Sequence, residues 1–147
     1  MNESTITVIS HRATIEAKLT ANLEKTMDNI GMLVENRAAK NIKETQAKSP
    51  WRKTGQISSF VTHQVSIDNN KIMVEIGIPE GGNTESGTSV AKVGKYLELG
   101  HSQNPGQYVA AIGKRLVASD VPPYPWLFPA VESNRQNIIN MLKDSGK

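Results

Sequence analysis

Residues 61–78 read Val61-Thr62-His63-Gln64-Val65-Ser66-Ile67-Asp68-Asn69-Asn70-Lys71-Ile72-Met73-Val74-Glu75-Ile76-Gly77-Ile78. Val61, His63, Val65 and Ile67 share one face of an extended chain, and Ile72, Val74, Ile76 and Ile78 alternate with Met73, Glu75 and Gly77. A period of two marks a half-buried strand, and the Asp68-Asn69-Asn70-Lys71 quartet between the runs has turn chemistry. The stretch therefore predicts a β-hairpin over about residues 60–78, with one face toward a core.

Upstream the period changes. From Ala13 to about Ala47, Leu19, Leu23, Met27, Ile30, Val34, Ala38 and Ile42 recur three or four residues apart, which predicts one long amphipathic helix or two in line. Gly31 inside it costs about 1 kcal/mol relative to alanine and marks either a kink or a close packing point. Pro50 and Lys53-Thr54-Gly55 end the helix. Thr54 can supply a local side-chain hydrogen bond and Gly55 a positive φ, so the chain can reverse into the hairpin. Ahead of the helix, Thr5-Ile6-Thr7-Val8-Ile9-Ser10 alternates as a short strand.

Downstream, Pro79 to Ser89 is rich in Gly, Asn, Ser and Thr and offers little apolar area to offset the entropy of fixing it. It is expected to be a mobile loop that orders only on contact with a neighbour. Order resumes from Lys95 to Leu99. Asn104-Pro105-Gly106 and Val121-Pro122-Pro123-Tyr124-Pro125 are irregular, because proline fixes φ and removes a donor. Val131, Ile138, Met141 and Leu142 predict a last helix from Ala130 to about Asp144. The expected fold is α+β: a long N-terminal helix packed on a small antiparallel sheet (the hairpin plus the N-terminal strand), a C-terminal helix and long loops. The 147 residues suit a single domain over 1–147.

Composition narrows the function. There is no cysteine, hence neither a disulfide framework nor a cysteine zinc site. The first residues lack a basic stretch followed by an apolar core, and no apolar run approaches the roughly 18 residues of a membrane span, so neither export nor embedding is expected. Seventeen Lys and Arg against 14 Asp and Glu give +3, too mild to imply nucleic-acid binding by itself.

No chemical constellation is complete. Gly100-His101-Ser102-Gln103-Asn104 lacks the second glycine of a nucleophile elbow, and Pro105 opposes the helix such an elbow must enter. Glu98 and His101 have a di-metal spacing without the second pair that such a site needs. His11 and His63 have no ligand-spaced carboxylate beside them in sequence. The glycines of 81–87 are not followed by Lys-Ser or Lys-Thr, so they make no phosphate loop. No catalytic, metal-binding or cofactor-binding residue is expected, and no cofactor. Arg37, Lys40, Lys43, Lys48, Arg52 and Lys53 form a basic run relieved by Glu44. It is either a solvated helix face or a contact for DNA phosphate or an acidic neighbouring subunit.

Three segments occur in an order that resembles one family. A long helix ends in Ser49-Pro50-Trp51-Arg52-Lys53-Thr54-Gly55. A hairpin is followed by Lys95-Tyr96-Leu97-Glu98-Leu99-Gly100-His101-Ser102. Pro123-Tyr124-Pro125-Trp126-Leu127-Phe128-Pro129-Ala130 then leads into a terminal helix. This order resembles the tail-completion or neck family of long-tailed phages, whose members are similar to lambdoid minor tail protein Z and to head-tail joining tail components. Ser49 stands where the family usually has Thr, Ile57 for Leu, Leu99 for an aromatic and His101 for Thr.

The resemblance, which covers about residues 25–143, implies a structural virion protein and not an enzyme. It implies a homo-oligomeric ring, hexameric in the main, around the DNA channel. Its partners would be the tail-tube or tail-terminator protein and the head-side connector (adaptor, stopper or portal) proteins, with DNA passing through without sequence readout. It would be made in the host bacterial cytoplasm and reside in the virion neck. The residues it marks for structure and assembly are Pro50, Thr54, Gly55, Tyr96, Glu98, Gly100, Pro125, Trp126, Phe128 and Pro129. Trp126 and Phe128 in particular are expected to be buried, as a stiff clamp on the hairpin or on a neighbouring subunit.

Overall fold

The computed structural model describes residues 10–48, 57–68, 71–84, 87–103, 106, 108–109, 113–115 and 119–147. The expected N-terminal strand, but for Ser10, and the turn holding Pro50, Arg52, Lys53, Thr54 and Gly55 lie outside these residues.

Helix α1 runs unbroken over Arg12–Lys48. A 3-10 turn, Ile57–Phe60, leads into strand β1, Thr62–Asp68, which pairs antiparallel with β2, Lys71–Gly77. The register sets Val65 opposite Val74, Ile67 opposite Ile72 and His63 opposite Ile76, so the two alternating runs share one face. Helix α2 spans Val90–Leu99. Strand β3, His101–Gln103, leaves it and pairs with β6, Ser119–Val121. Between them β4, Tyr108–Val109, and β5, Lys114–Arg115, form a minimal ladder. Helix α3, Leu127–Asp144, closes the chain. The fold is α+β, with three two-stranded antiparallel sheets among the described residues.

The core forms where the two halves meet. Ile30, Val34, Ala38 and Ile42 of α1 are buried against Ile57, Val61, Val90, Trp126 and Ala130. Earlier on the same stripe, Ile15 and Leu19 are exposed, so α1 presents its first half largely to solvent. Gly31 is a packing point and not a kink: a Cβ there would lie 2.3 Å from the His63 ring and 2.9 Å from Val74.

The described residues of the Pro79–Ser89 segment carry local hydrogen bonds that their composition did not indicate. Thr84 donates its backbone N–H to Thr88, Gly87 donates to Thr84 and Val90 donates to Gly82, while Asn83 bridges Ser89. Gly82 lies under the Phe60 ring, where a Cβ would meet the ring at 2.8 Å. Among the described residues of the segment, Phe60 supplies apolar cover at Gly82, and backbone groups of 82–84 bond to those of 87–90. Ser89 then caps α2, its hydroxyl accepting from the Lys92 amide, and Val90 is fully buried.

Candidate functional site

The first turn of α3 has an electrostatic problem. Four amides at a helix start lack an intrahelical acceptor, and Trp126 at the N-cap offers no side-chain oxygen. Pro129 removes one of the four donors by having no N–H. The other three all point at one carboxylate brought from another helix. Glu98 accepts the Trp126 amide at 2.7 Å and the Leu127 amide at 2.9 Å through Oε2, and the Phe128 amide at 3.0 Å through Oε1. An anion at the positive end of the α3 dipole adds attraction to these charge-assisted bonds. In the last turn of α2 the same charge is unfavourable, so its position is explained by what it does for α3.

The chain is returned to Glu98 by the β3–β6 ladder. Gly100 leaves α2 at φ +71°, and a Cβ there would lie 2.6 Å from the Val121 carbonyl oxygen and 2.9 Å from the Pro123 nitrogen. Glycine is needed for the turn and for the approach of the returning strand. Tyr124 then donates its amide to the Leu97 carbonyl at 2.7 Å. Pro125, exposed, stiffens the last step into Trp126.

Trp126 is 4% exposed and locks three elements. Its Nε1 donates to the Gly94 carbonyl of α2 at 2.9 Å, and its own carbonyl accepts from Asn41 Nδ2 of α1 at 2.9 Å. Gly94 leaves room for Ile78 and for the indole, which would lie 2.6 and 3.5 Å from a Cβ. The clamp therefore closes on the chain's own helices. Asn41 was not singled out by sequence, although it stands seven residues after Val34 on the apolar stripe, where a polar residue needs a buried partner.

Phe128 corrects the expectation of burial: it is 66% exposed. Two residues along a helix is a rotation of about 200°, so Trp126 and Phe128 cannot face the same core, whereas Ala130 can and is buried. Leu99, beside Glu98, is also 66% exposed. Tyr96 is partly exposed and stacks on His101 with ring centroids 4.5 Å apart, with Lys92 Nζ 5.7 Å from its ring centre.

Arg37, Lys40 and Lys43 are exposed on α1, turned away from the buried Val34, Ala38 and Ile42, and no carboxylate pairs with them among the described residues. Lys48 is the last residue of α1. The Ser102 hydroxyl donates to Asp120 across the β3–β6 pair at 2.8 Å, while His101, on the opposite face of β3, turns to Tyr96. The two side chains are not brought together.

His63 is the residue whose surroundings the sequence concealed. Two carboxylates of α1 reach it: Glu35 Oε2 lies 2.5 Å from Nδ1 and Asp28 Oδ1 lies 3.1 Å from Nε2. They meet opposite ring nitrogens, so the three groups share no common point for a cation, and among the described residues no cluster is suited to a metal ion. No helix among them is long and apolar enough to cross a membrane.

No family model matches the chain, and neither a curated protein nor a solved structure matches it.

Proposed function

We propose that the chain is a structural protein of a tailed bacteriophage virion: a subunit of a cyclic ring in the neck that completes the tail and joins it to the head connector around the DNA channel. The observation that carries the reading is the mismatch between a small core and a large exposed apolar surface. Among the described residues nine hydrophobic residues are buried, whereas twelve large hydrophobic side chains are exposed. Apolar ground on that scale marks a surface that meets other protein.

The exposed side chains include two groups. Leu19 of α1, Ile67 at the hairpin tip and Leu142 near the end of α3 line one groove of about 710 Å³. The other comprises Phe128 and Val131, one turn apart at the start of α3, and Leu99, next in sequence to the Glu98 that accepts the Phe128 amide. Phe128 and Leu142 are separated by about 20 Å along α3 at 1.5 Å per residue. Two different surfaces on one subunit are what a heterologous, ring-closing contact uses. Six copies, with tail-tube or terminator protein on one side and connector protein on the other, follow from the resemblance. The Glu98 joint supports it further, because it ties together in space two of the segments on which the resemblance rests.

The test is deletion of the gene from the phage that encodes it, followed by electron microscopy of the lysate. Full heads and separate tails are expected; normal joined virions would contradict the proposal. A small nucleic-acid-binding module is the second reading, favoured by Arg37, Lys40 and Lys43, which are exposed and pair with no carboxylate among the described residues. It requires duplex binding that weakens steeply with salt, by close to one logarithmic unit per phosphate contact per tenfold salt.

A further inference from the structure

We infer that His63 acts as a proton-operated latch between the β1–β2 hairpin and α1, closed when the ring is an imidazolium. A neutral imidazole has one N–H and one lone pair, so it can donate to Glu35 or to Asp28 but not to both. With carboxylate oxygens at 2.5 Å from Nδ1 and 3.1 Å from Nε2, the neutral ring would turn a lone pair toward one of them. Only the imidazolium satisfies both contacts.

The site holds the ring in that geometry. The His63 side chain is 15% exposed, and its ring lies against Gly31, where any Cβ would strike it. Asp28, Gly31 and Glu35 lie on one face of α1 across two turns, so one strand residue bridges both turns of the helix. From β2 the ring faces Ile76 across the ladder and Val74 beside Gly31, both uncharged. Gln64 and Glu75 pair on the opposite face of the hairpin. The charges acting on the ring are Glu35 and Asp28, both from α1.

The Glu35 hydrogen bond raises the His63 pKa above its ordinary value; burial opposes it, and Asp28 adds to it. A group whose folded pKa is raised contributes stability that is complete below about 6.5 and is lost as pH rises through the folded value. The latch is therefore closed below about 6.5 and opens as pH rises through the raised folded value. Within the described residues the hairpin pairs with no third strand. Opening the latch loosens the hairpin on α1 without removing another sheet contact.

The experiment uses the full chain. The ring resonances of His63 are followed by NMR from pH 5 to 10, and amide hydrogen exchange of 62–77, corrected for intrinsic rate, is compared with that of α3. His63 is expected to titrate above 6.5 with both ring nitrogens protonated at pH 6. Hairpin protection should fall relative to α3 by up to tenfold for each unit by which His63 exceeds 6.5. In His63→Gln that pH dependence should vanish, and in Glu35→Gln the titration should move down. A His63 titrating at or below 6.5, or the same loss of hairpin protection in His63→Gln, would overturn the latch. Should His63→Gln not fold, the wild-type titration and Glu35→Gln still decide.

Discussion

Removing the Glu98 carboxylate should weaken the chain far more than its position near the end of a ten-residue helix suggests. In Glu98→Ala the amides of Trp126 and Leu127 are stranded in partly buried positions, whereas that of Phe128 is exposed and recovers water. A stranded donor costs about 1–3 kcal/mol, and loss of the anion from the α3 dipole adds about 0.5 kcal/mol. The expected loss is therefore about 3 kcal/mol, or roughly 10 °C in Tm. Glu98→Gln keeps one acceptor oxygen but turns an NH2 toward the same amides, so about half that loss is expected. Urea unfolding, followed by tryptophan fluorescence and far-ultraviolet circular dichroism, measures both. A loss under about 0.5 kcal/mol in Glu98→Ala would refute the reasoning, since that is the range of an ordinary surface change.

Other substitutions probe the same frame. Gly31→Ala drives a methyl into the His63 ring and is expected to cost about 1–3 kcal/mol by overpacking, read as a lower urea midpoint. Gly100→Ala combines a positive φ with a clash against the Val121 carbonyl and should cost about 2–3 kcal/mol; an unchanged midpoint would remove the close return of β6 from the account. Trp126→Ala, at a buried large aromatic, should cost about 3–5 kcal/mol, measured in the same way. Phe128→Ala should leave the free subunit's stability within about 0.5 kcal/mol, because its ring is exposed, while weakening self-association in sedimentation velocity.

The elements with strong periodicity were legible. Seven apolar positions from Leu19 to Ile42 marked α1 within a residue of its ends, and the alternation from Val61 to Ile78 gave the hairpin its register. Helix α2 was not legible as a helix, because it is short, carries Gly94 and follows a glycine-rich stretch, although Ser89 was a usable cap signal. Glu98 stood out through the resemblance and through its spacing to His101, neither of which pointed to the start of α3. What it does depends on amides 28 to 30 residues away, a distance at which no local pattern operates. Phe128 was misplaced because a run of aromatic and proline residues suggests a buried clamp, whereas helical geometry sends its members to opposite faces. The His63 latch had a readable half: Asp28, Gly31 and Glu35 form an acidic face around a glycine. Its other half required knowing which strand residue lands there.

The central claim, assembly through two unlike surfaces, is tested most directly by mixing two blocked subunits. Leu19→Asp disables the groove surface and Phe128→Asp the α3-start surface, each at an exposed position that leaves the core untouched. Native mass spectrometry of the wild-type chain should show a closed ring, and each variant alone should be monomeric. The equimolar mixture should give a one-to-one heterodimer, because each variant retains the surface the other has lost. Monomers in the mixture beside a wild-type ring, or a variant that forms homodimers alone, would contradict the account.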